Sequence, residues 1–332
     1  MPTERRSAVG RLLRQRELGL VVALAIVCVA FETQNGNFLS GSYLQDIALS
    51  TAILMIAAAG QTLVVVSRNI DLSVGSMLGL GGFVAANALK HHDLALPLVF
   101  ALGAGVGLLL GAVNATLVAY LSVPSIVATL GTLYVFRGID FLLGGDGRQV
   151  NADDVPASFL ALANDKLLGI PVMFLAALAI VAAVGWALRN ARWGRSLYAI
   201  GSNPAGARPA GIPVRRMLFV AFCVSGLLAG LAGVMWGSIY AGIDPQAGRG
   251  FELTVVAAVV VGGVNIFGGA GTVWGAALGA LLLTAIQSGL SLVQISPFWL
   301  EAIYGAAIVL AVLLDARLNA RLTARELARS AA

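Results

Sequence analysis

Few ionisable side chains interrupt the long apolar stretches of this sequence. Arg137 and Asp140 lie three residues apart, and Glu252 and Glu301 are isolated. Inside a membrane, such groups could relay protons or couple ion flow to transport. Each of them can also be placed near a membrane surface, where a long side chain reaches water. An ion-coupled secondary transporter is therefore only a distant alternative.

The two histidines, His91 and His92, are adjacent and stand beside Asp93. A metal site or acid–base catalysis would need partner groups, so we interpret this triplet as a solvated turn. Cys28 and Cys223 lie inside apolar runs, where packing accounts for them. The sequence thus predicts a protein that is not an enzyme, with no catalytic residue, no metal and no cofactor.

The composition excludes a water-soluble domain. Of the 332 residues, 59% are hydrophobic and only 11% are charged, whereas soluble domains carry roughly 25% charged residues. Long uncharged runs rich in Leu, Val and Ala favour helices over a β-barrel, which would alternate apolar and polar residues. We predict an all-α polytopic protein in a lipid bilayer. The net charge of +5 comes from arginines that flank apolar segments, so no nucleic-acid partner is expected.

The positions of charges and prolines divide the chain into about ten transmembrane helices. Their predicted ranges are 14–32, 47–66, 72–89, 95–121, 125–143, 169–188, 217–240, 252–266, 271–290 and 297–314. With both termini in the cytoplasm, 16 of the 21 basic residues fall on the cytoplasmic side, as the positive-inside rule requires. Residues 1–332 then form a single domain. Its cytoplasmic parts are an N-terminal segment at 1–16, a loop at 189–216 and a tail at 315–332.

Small residues recur at helical spacing in several of these segments. Glycine stands at every fourth position at Gly103, Gly107 and Gly111, and again at Gly271, Gly275 and Gly279. In lipid, this spacing lets two helix backbones approach closely. The pattern therefore predicts tight helix pairs. No glycine belongs to a nucleotide-binding loop of the G-x-x-x-x-G-K-[ST] type.

The loop at 189–216 contains an ordered pattern. "RSLYAI" is apolar enough to dock on the protein, and "SNPAGA" offers Ser202 or Asn203 as a helix N-cap with Pro204 at the first helical position. A short helix from there would end near Gly211, and it would suit the groove of a partner protein. On the other side, the acidic segment 144–168 is either a contact for an outer partner or a plain connector.

The stretch "SRNIDLSVG", residues 67–75, separates the second and third predicted spans. Arg68 fits the positive-inside rule, and Asp71 or Ser73 can cap the following helix. The stretch is either a turn at the surface or a break within the membrane. "NIDLSVGSMLG" at 69–79 also echoes "NIFGGAGTVWG" at 265–275, and matching breaks of this kind can mark a substrate path.

Four motifs in order resemble a known family. They are "NIDLSVGSMLGLGG" at 69–82, "VPSIVATLGTLYVFRGI" at 123–139, "GRSLYAIGSNPAGARPAGIPV" at 194–214 and "AAVVVGGVNIFGGAGTVWGAALGALL" at 257–282. The chain from about 38 to 315 is similar to the membrane permease subunits of bacterial ABC importers for monosaccharides. That family includes the ribose, xylose and rhamnose types and the autoinducer importer permeases.

The resemblance implies a setting in the bacterial inner membrane and three kinds of protein partner. A second permease copy or paralogue would complete the translocation path, separate ATPase subunits would grip the segment around 194–214, and a periplasmic sugar-binding protein would deliver the cargo. The residues implied for ATPase coupling are Gly194, Arg195, Tyr198, Gly201, Asn203, Ala205, Gly206, Ala207 and Gly211. Those of the family signature and possible path are Arg68, Asn69, Asp71, Ser73, Gly75, Pro124, Thr129, Gly131, Thr132 and Asn265.

The expected cargo is a neutral monosaccharide, with rhamnose or another pentose or deoxyhexose favoured. A sugar-like autoinducer is the alternative, because the pair Arg68–Asn69 before "IDLSVG" is more similar to the rhamnose and autoinducer branches than to the ribose branch. A path for a neutral cargo needs small and weakly polar side chains, and Asn114 and Gln287 join the candidates above.

Overall fold

A computed structural model describes residues 3–145, 149–296, 298–299, 301–306 and 309, with side chains described from residue 17 onward. It confirms an all-α architecture. The helices of this part of the chain are α1 (Thr3–Asn35), α2 (Gly41–Val66), α3 (Val74–His91), α4 (Leu96–Ala115), α5 (Ser125–Gly144), α6 (Ala157–Ala161), α7 (Val172–Asn190), α8 (Arg192–Ser202), α9 (Pro204–Ala207), α10 (Val214–Ile239), α11 (Phe251–Val261) and α12 (Val273–Leu292).

Four two-residue strands lie in the connections of the described chain. They are β1 (Val150–Asn151), β2 (Lys166–Leu167), β3 (Ile170–Pro171) and β4 (Gly242–Ile243). Strand β1 pairs antiparallel with β4, and β2 pairs antiparallel with β3. The β1–β4 pair ties the connection after α5 to the connection after α10.

Seven helices of the described chain are long and apolar enough to cross a membrane. They cover Glu17–Asn35, Gly41–Val66, Leu96–Tyr120, Ser125–Gly144, Val172–Asn190, Val214–Ile239 and Val273–Leu292. The predicted third span is α3, which is 18 residues long and rich in glycine. Half of the predicted tenth span, 297–314, lies outside the described residues, as do the tail at 315–332 and the side chains of 1–16. The count of ten therefore stays a prediction.

The predicted eighth span, 252–266, is wrong in length. Helix α11 has only 11 residues, so it extends about 16 Å, roughly half of a hydrocarbon core of about 30 Å. It ends at Val261 because Gly262 and Gly263 follow, and Gly263 adopts the left-handed φ of 83°, a conformation that costs glycine little. The turns that follow continue to the start of α12. Helix α11 is thus a half-helix inside the bundle.

Helix α2 is the centre of the bundle. In its most apolar window 94% of the residues are buried, against 28% in α4, 28% in α5 and 22% in α7. Helices α7, α10, α11 and α12 pack around it. A helix that is apolar on every side is stable only when other helices cover it or lipid surrounds it. The outer helices face lipid or partners, whereas the part of α2 from Thr51 to Val66 is buried in protein.

The glycine patterns form close helix contacts, as predicted. Gly107 of α4 lies against the backbone of Gly226 and Gly230 of α10, and a Cβ on Gly107 would stand 2.9 Å from the Gly230 Cα. Gly279 of α12 lies against the carbonyl of Ala258 in α11. Any larger side chain at these positions would force the backbones apart. The sequence pattern therefore identified two of the tightest interfaces in the bundle.

The bundle has two distinct ends. The α8 end, as we call it, carries α8, α9 and the residues that connect α11 to α12. The opposite end carries β1–β4 and α6, where Lys90 forms an ion pair with Asp154 at 3.0 Å and Ser238 Oγ donates to the Phe159 carbonyl at 2.6 Å. The predicted loop at 144–168 is therefore folded against the bundle in its described part.

Candidate functional site: a docking surface, a helix break and a cavity

Helix α8 docks on the bundle through one face. Gly194, Leu197, Ile200 and Gly201 are buried on this face. Gly194 lies against the carbonyl oxygens of α7, and Tyr198 Oη donates to the Gly271 carbonyl at 2.7 Å. Burial raises the pKa of Tyr198 to about 12, so the hydroxyl stays protonated and can donate this hydrogen bond to the Gly271 carbonyl. The apolar segment "RSLYAI" therefore holds the loop on the membrane domain.

Helix α9 begins as the sequence predicts but ends earlier. The Asn203 side chain accepts from the Gly206 amide at 2.9 Å, and Pro204 is the first helical residue. The predicted helix to Gly211 is wrong in length, because α9 is a single turn. Pro209 has no N–H with which to continue the hydrogen-bond ladder. The chain continues as a turn to Gly211, which has the left-handed φ of 78°.

The turn around α9 projects from the protein. Asn203, Ala205 and Gly211 are exposed together with Arg195, whereas Ala207 points into the protein with 4% exposure. Gly206 is half-buried. We call the exposed residues from Asn203 to Gly211 the docking surface. Its small side chains leave the backbone of α9 open to contact.

The chain reverses between α2 and α3 through a capped helix end. The Asn69 amide donates to the Val64 carbonyl at 3.1 Å, and the Arg68 amide donates to the Val65 carbonyl at 2.9 Å. Arg68 itself has a φ of 66°. This is the Schellman arrangement, in which the left-handed position usually holds glycine. The helix end is therefore satisfied by its own backbone.

The burial of Asp71 distinguishes a surface turn from a break inside the protein. Its side chain has 0% exposure, whereas Arg68 alone in the stretch is exposed. Asp71 Oδ1 accepts from the Ser73 amide at 2.9 Å and from Ser73 Oγ at 2.7 Å. Ser73 is the N-cap residue of α3 but makes no side-chain cap, and Asp71 holds it through its amide and hydroxyl. The stretch is a break inside the protein.

The helix registers give the depth of the break. Gly60 of α2 packs against Ser225 of α10, and Gly81 of α3 packs against Gly230 of the same helix. At about 1.5 Å per residue, the break lies about 7 to 13 Å inside the first residue of α10, measured from the α8 end. The break therefore lies below the docking surface and within the bundle.

Polar side chains from α4, from α5 and from the turn before α3 meet at the break. Asn114 Nδ2 donates to Ser73 Oγ at 2.7 Å, and Thr132 Oγ1 donates to Asn114 Oδ1 at 2.6 Å. Thr129 Oγ1 accepts from the Leu72 amide at 3.0 Å. The structure thus brings together Asp71, Ser73, Asn114, Thr129 and Thr132, which we call the break cluster.

Other predicted path residues lie elsewhere. Gly131 faces outward, with open space where a Cβ would be, and Pro124 is an exposed residue before α5. Asn69 and Asn265 lie in two turns that meet where Gly268 packs against Arg68. Asn265 Oδ1 accepts from the Phe267 amide at 2.8 Å. The sequence echo therefore corresponds to two adjacent turns.

Gly75 is needed for a close approach from the opposite direction. It lies against the Gly248 carbonyl and the Glu252 carboxylate. One turn further along α3, a Cβ at Gly79 would stand 2.6 Å from the Ala247 carbonyl. The segment before α11 therefore reaches the first turns of α3.

Arg137 holds this segment in place. It donates to the Pro245 carbonyl at 2.9 Å and to the Ala247 carbonyl at 2.6 Å, and it lies 3.8 Å from Asp140 Oδ2. Asp140 is fully buried, and Arg137 is nearly so. The sequence placed these charges near a membrane interface. In the structure Arg137 bonds to backbone beside Asp140 inside the protein, and neither Asp140 oxygen has a hydrogen-bond partner among the described residues.

A cavity of about 500 Å³ lies between α2, α10, α11, α12 and residues 301–305. Gln287 is its only lining residue that sequence reasoning named as a path candidate. The reasoning missed its aromatic residues, Trp236, Tyr240, Phe251 and Tyr304. The remaining lining residues are Ser50, Ile53, Leu54, Arg249, Gly250, Leu253, Thr254, Thr284, Glu301 and Gly305. The lining residues come from five separate segments of the chain, so no single sequence motif predicts them.

Comparison with known proteins defines the class. The family model described as "Branched-chain amino acid transport system / permease component" matches residues 43–312. The chain belongs to this family of permease components. It is a transporter component and not an enzyme, and it is a multi-pass protein of the inner membrane.

Individual curated relatives give a more specific comparison than the family model. The chain is 38% identical over 299 residues to the autoinducer 2 import system permease protein LsrC of Enterobacter sp. (strain 638), covering 90% of this chain and 86% of the relative. The protein of the same name in Escherichia coli (strain K12 / DH10B) is 38% identical, and that of Shigella flexneri is 39% identical, each over 298 residues with the same coverage. No solved structure matches the chain. The resemblance to importer permeases of the monosaccharide type is confirmed.

Proposed function

We propose that this chain is the permease subunit of an ATP-driven importer for a small neutral polyhydroxylated compound, and that autoinducer 2 is the first candidate. The similarity to LsrC over 90% of the chain carries this proposal. Rhamnose, which the sequence motifs favoured, is the second candidate because the same family resemblance covers sugar importers. Both compounds need a path lined by uncharged polar groups.

The docking surface supports a cytoplasmic ATPase partner. It presents Asn203, Ala205 and Arg208 to solvent, while α8 holds it on the bundle through a buried face. The neighbouring arginines, among them Arg192, Arg195, Arg215 and Arg216, are exposed at the same end. By the positive-inside rule, this end faces the cytoplasm.

The opposite end is then periplasmic, and it offers a rigid platform to a substrate-binding protein. Strand β1 pairs with β4, and Lys90 pairs with Asp154 across two connections. A second permease copy or paralogue completes the path. The exposed apolar faces of α4 and α5, with Leu109, Val127 and Leu142 at 62% exposure or more, are available to lipid or to that copy.

The mechanism we propose is alternating access. Movement of the docking surface is passed through α8 to the end of α2, because α8 touches the turn at Val66. The break cluster then changes its packing between the start of α3, α4 and α5. The ion-coupled alternative has less support, because Arg137 bonds to backbone carbonyls and lies beside Asp140, and neither residue lines the cavity.

Uptake assays test this function. Cells that express the chain with the ATPase and binding protein of its own organism should deplete autoinducer 2 from the medium, and L-rhamnose and D-ribose are the comparison cargoes. ATPase-dead partners should abolish uptake of the transported compound. Robust ion-driven flux through the chain alone in liposomes would contradict the proposal.

A further inference from the structure

The cavity between α2, α10, α11 and α12 is closed at one end, which we call the floor, and open at the other, which we call the mouth. Ile53 and Leu54 are buried on the floor, and Tyr304 beside them has 8% exposure. Tyr240 and Arg249 at the mouth are exposed. These two residues follow α10 and precede α11 near the opposite end of the bundle. A compound arriving from that end therefore meets the mouth before the floor.

Aromatic rings form one wall of this cavity. The rings of Trp236 and Tyr240 lie 4.6 Å apart, and those of Trp236 and Phe251 lie 6.0 Å apart at nearly right angles. Amphipathic rings offer an apolar face and, in Trp and Tyr, a polar edge. The C–H face of a sugar-like ring packs well against such a wall.

The rest of the lining supplies mainly uncharged polar groups, together with the charged Arg249 and Glu301. Tyr304 Oη donates to Gln287 Oε1 at 3.3 Å, and the Gln287 amide nitrogen donates to no other described residue. Ser50 and Thr254 add hydroxyl groups to the lining. A pocket of a few hundred Å³ with an apolar wall and a few convergent polar groups is the usual form of a small-molecule site.

The break cluster does not have this form. Asn114, Thr132 and Ser73 bond to one another, so their polar atoms already have partners. Asp71 Oδ2 is a buried acceptor without a hydrogen-bond partner among the described residues, but a cargo that bound to Ser73, Asn114 or Thr132 would have to displace their hydrogen bonds. The cavity instead offers the amide donor of Gln287.

We propose that this cavity binds the neutral polyhydroxylated cargo as it enters the permease, with Gln287 and Tyr304 as hydrogen-bonding groups and Trp236 as the stacking surface. This inference rests on the proposed function. In this assignment the cavity binds the cargo, and the break cluster contributes to helix packing and to the conformational change.

Uptake kinetics of two variants test the assignment. Gln287→Leu and Tyr304→Phe should each lower the maximal uptake rate about tenfold, since each removes a hydrogen bond of roughly 1.4 kcal/mol. The concentration for half-maximal uptake should stay unchanged, because the binding protein captures the cargo first. Tyr43→Phe is the matched control, since its hydroxyl donates to the Ser288 carbonyl at 3.2 Å outside the cavity. Wild-type rates in both variants, beside a transporting wild type, would overturn the inference.

Cysteine protection gives a direct measure of occupancy. Ser50→Cys is placed in a chain whose Cys28 and Cys223 are replaced by alanine, and the importer complex is reconstituted in nanodiscs. Saturating autoinducer 2 or L-rhamnose, whichever the wild type transports, should slow labelling by a small thiol reagent at least threefold. Equal labelling rates with and without the transported compound would refute cargo binding here. A wild type that transports neither compound would instead contradict the proposed function.

Discussion

Gly201 of α8 lies directly against the carbonyl oxygen of Val66, the last residue of α2. The same oxygen accepts from the Gly269 amide at 2.8 Å. The docking helix, the end of the central helix and the turn after α11 therefore meet at one backbone atom. This contact joins the docking surface to the break.

Replacing Gly201 with alanine should disturb this junction. A Cβ would collide with the Val66 carbonyl, and overpacking of this kind typically costs about 1 to 3 kcal/mol. We expect a lower melting temperature in detergent. We also expect uptake to fall by more than the amount of folded protein, because the contact joins the docking surface to the break. Gly131→Ala is the matched control, since open space surrounds its Cβ position. Normal melting and normal uptake for Gly201→Ala would contradict the junction.

The docking surface predicts opposite results at two neighbouring alanines. Ala205 is exposed, so Ala205→Trp should fold and melt like the wild type while it blocks ATPase association and uptake. Ala207 has 4% exposure, so Ala207→Trp should fail to fold stably. Co-purification of the ATPase with each variant measures the difference. Full ATPase recovery with Ala205→Trp would place the contact elsewhere.

Asp71 is predicted to act as a hydrogen-bond acceptor rather than as a charge carrier. Asp71→Asn keeps an oxygen for the Ser73 amide and hydroxyl, so uptake should persist. Asp71→Leu leaves both donors buried without that acceptor, at a cost of about 1 to 3 kcal/mol for each. Thermal melting and uptake are measured side by side. An inactive but normally stable Asp71→Asn protein would revive the ion-coupled alternative.

A double-mutant cycle tests how strongly Arg137 and Asp140 stabilise each other. Arg137→Gln leaves the fully buried Asp140 without its cation and should cost about 3 kcal/mol. The double variant Arg137→Gln/Asp140→Asn should recover part of that loss, because no unpaired charge then remains. Denaturation of the four proteins gives the coupling. Additive losses would show that the two side chains act independently.

Arg68 offers a substitution that should stabilise the protein. Its φ of 66° is strained for a side chain with a Cβ, and glycine is the usual residue at this position of a Schellman cap. Arg68→Gly should therefore raise stability by up to about 1 kcal/mol relative to Arg68→Ala. Comparison of the two melting temperatures isolates the backbone effect. Equal melting temperatures would mean that the cap carries no strain.

The sequence by itself determined the class of fold and the main helices. Long apolar runs specify membrane helices because a buried backbone must satisfy its own hydrogen bonds, and glycines at every fourth residue specify close packing. Local chemistry also predicted a cap at Ser202 or Asn203, and it predicted an interruption before α3 that is either a surface turn or a break. These features depend on neighbours within a few residues, which a linear pattern records.

Only the tertiary structure decided the depth of the break, the length of α11 and the position of the cavity. Asp71 is buried because α4 and α5 supply Asn114 and Thr129 around it, from more than 40 residues away. Trp236, Gln287 and Tyr304 meet because three separate segments pack side by side. Contacts between distant segments depend on how all helices pack together, and no local pattern of residues specifies that packing.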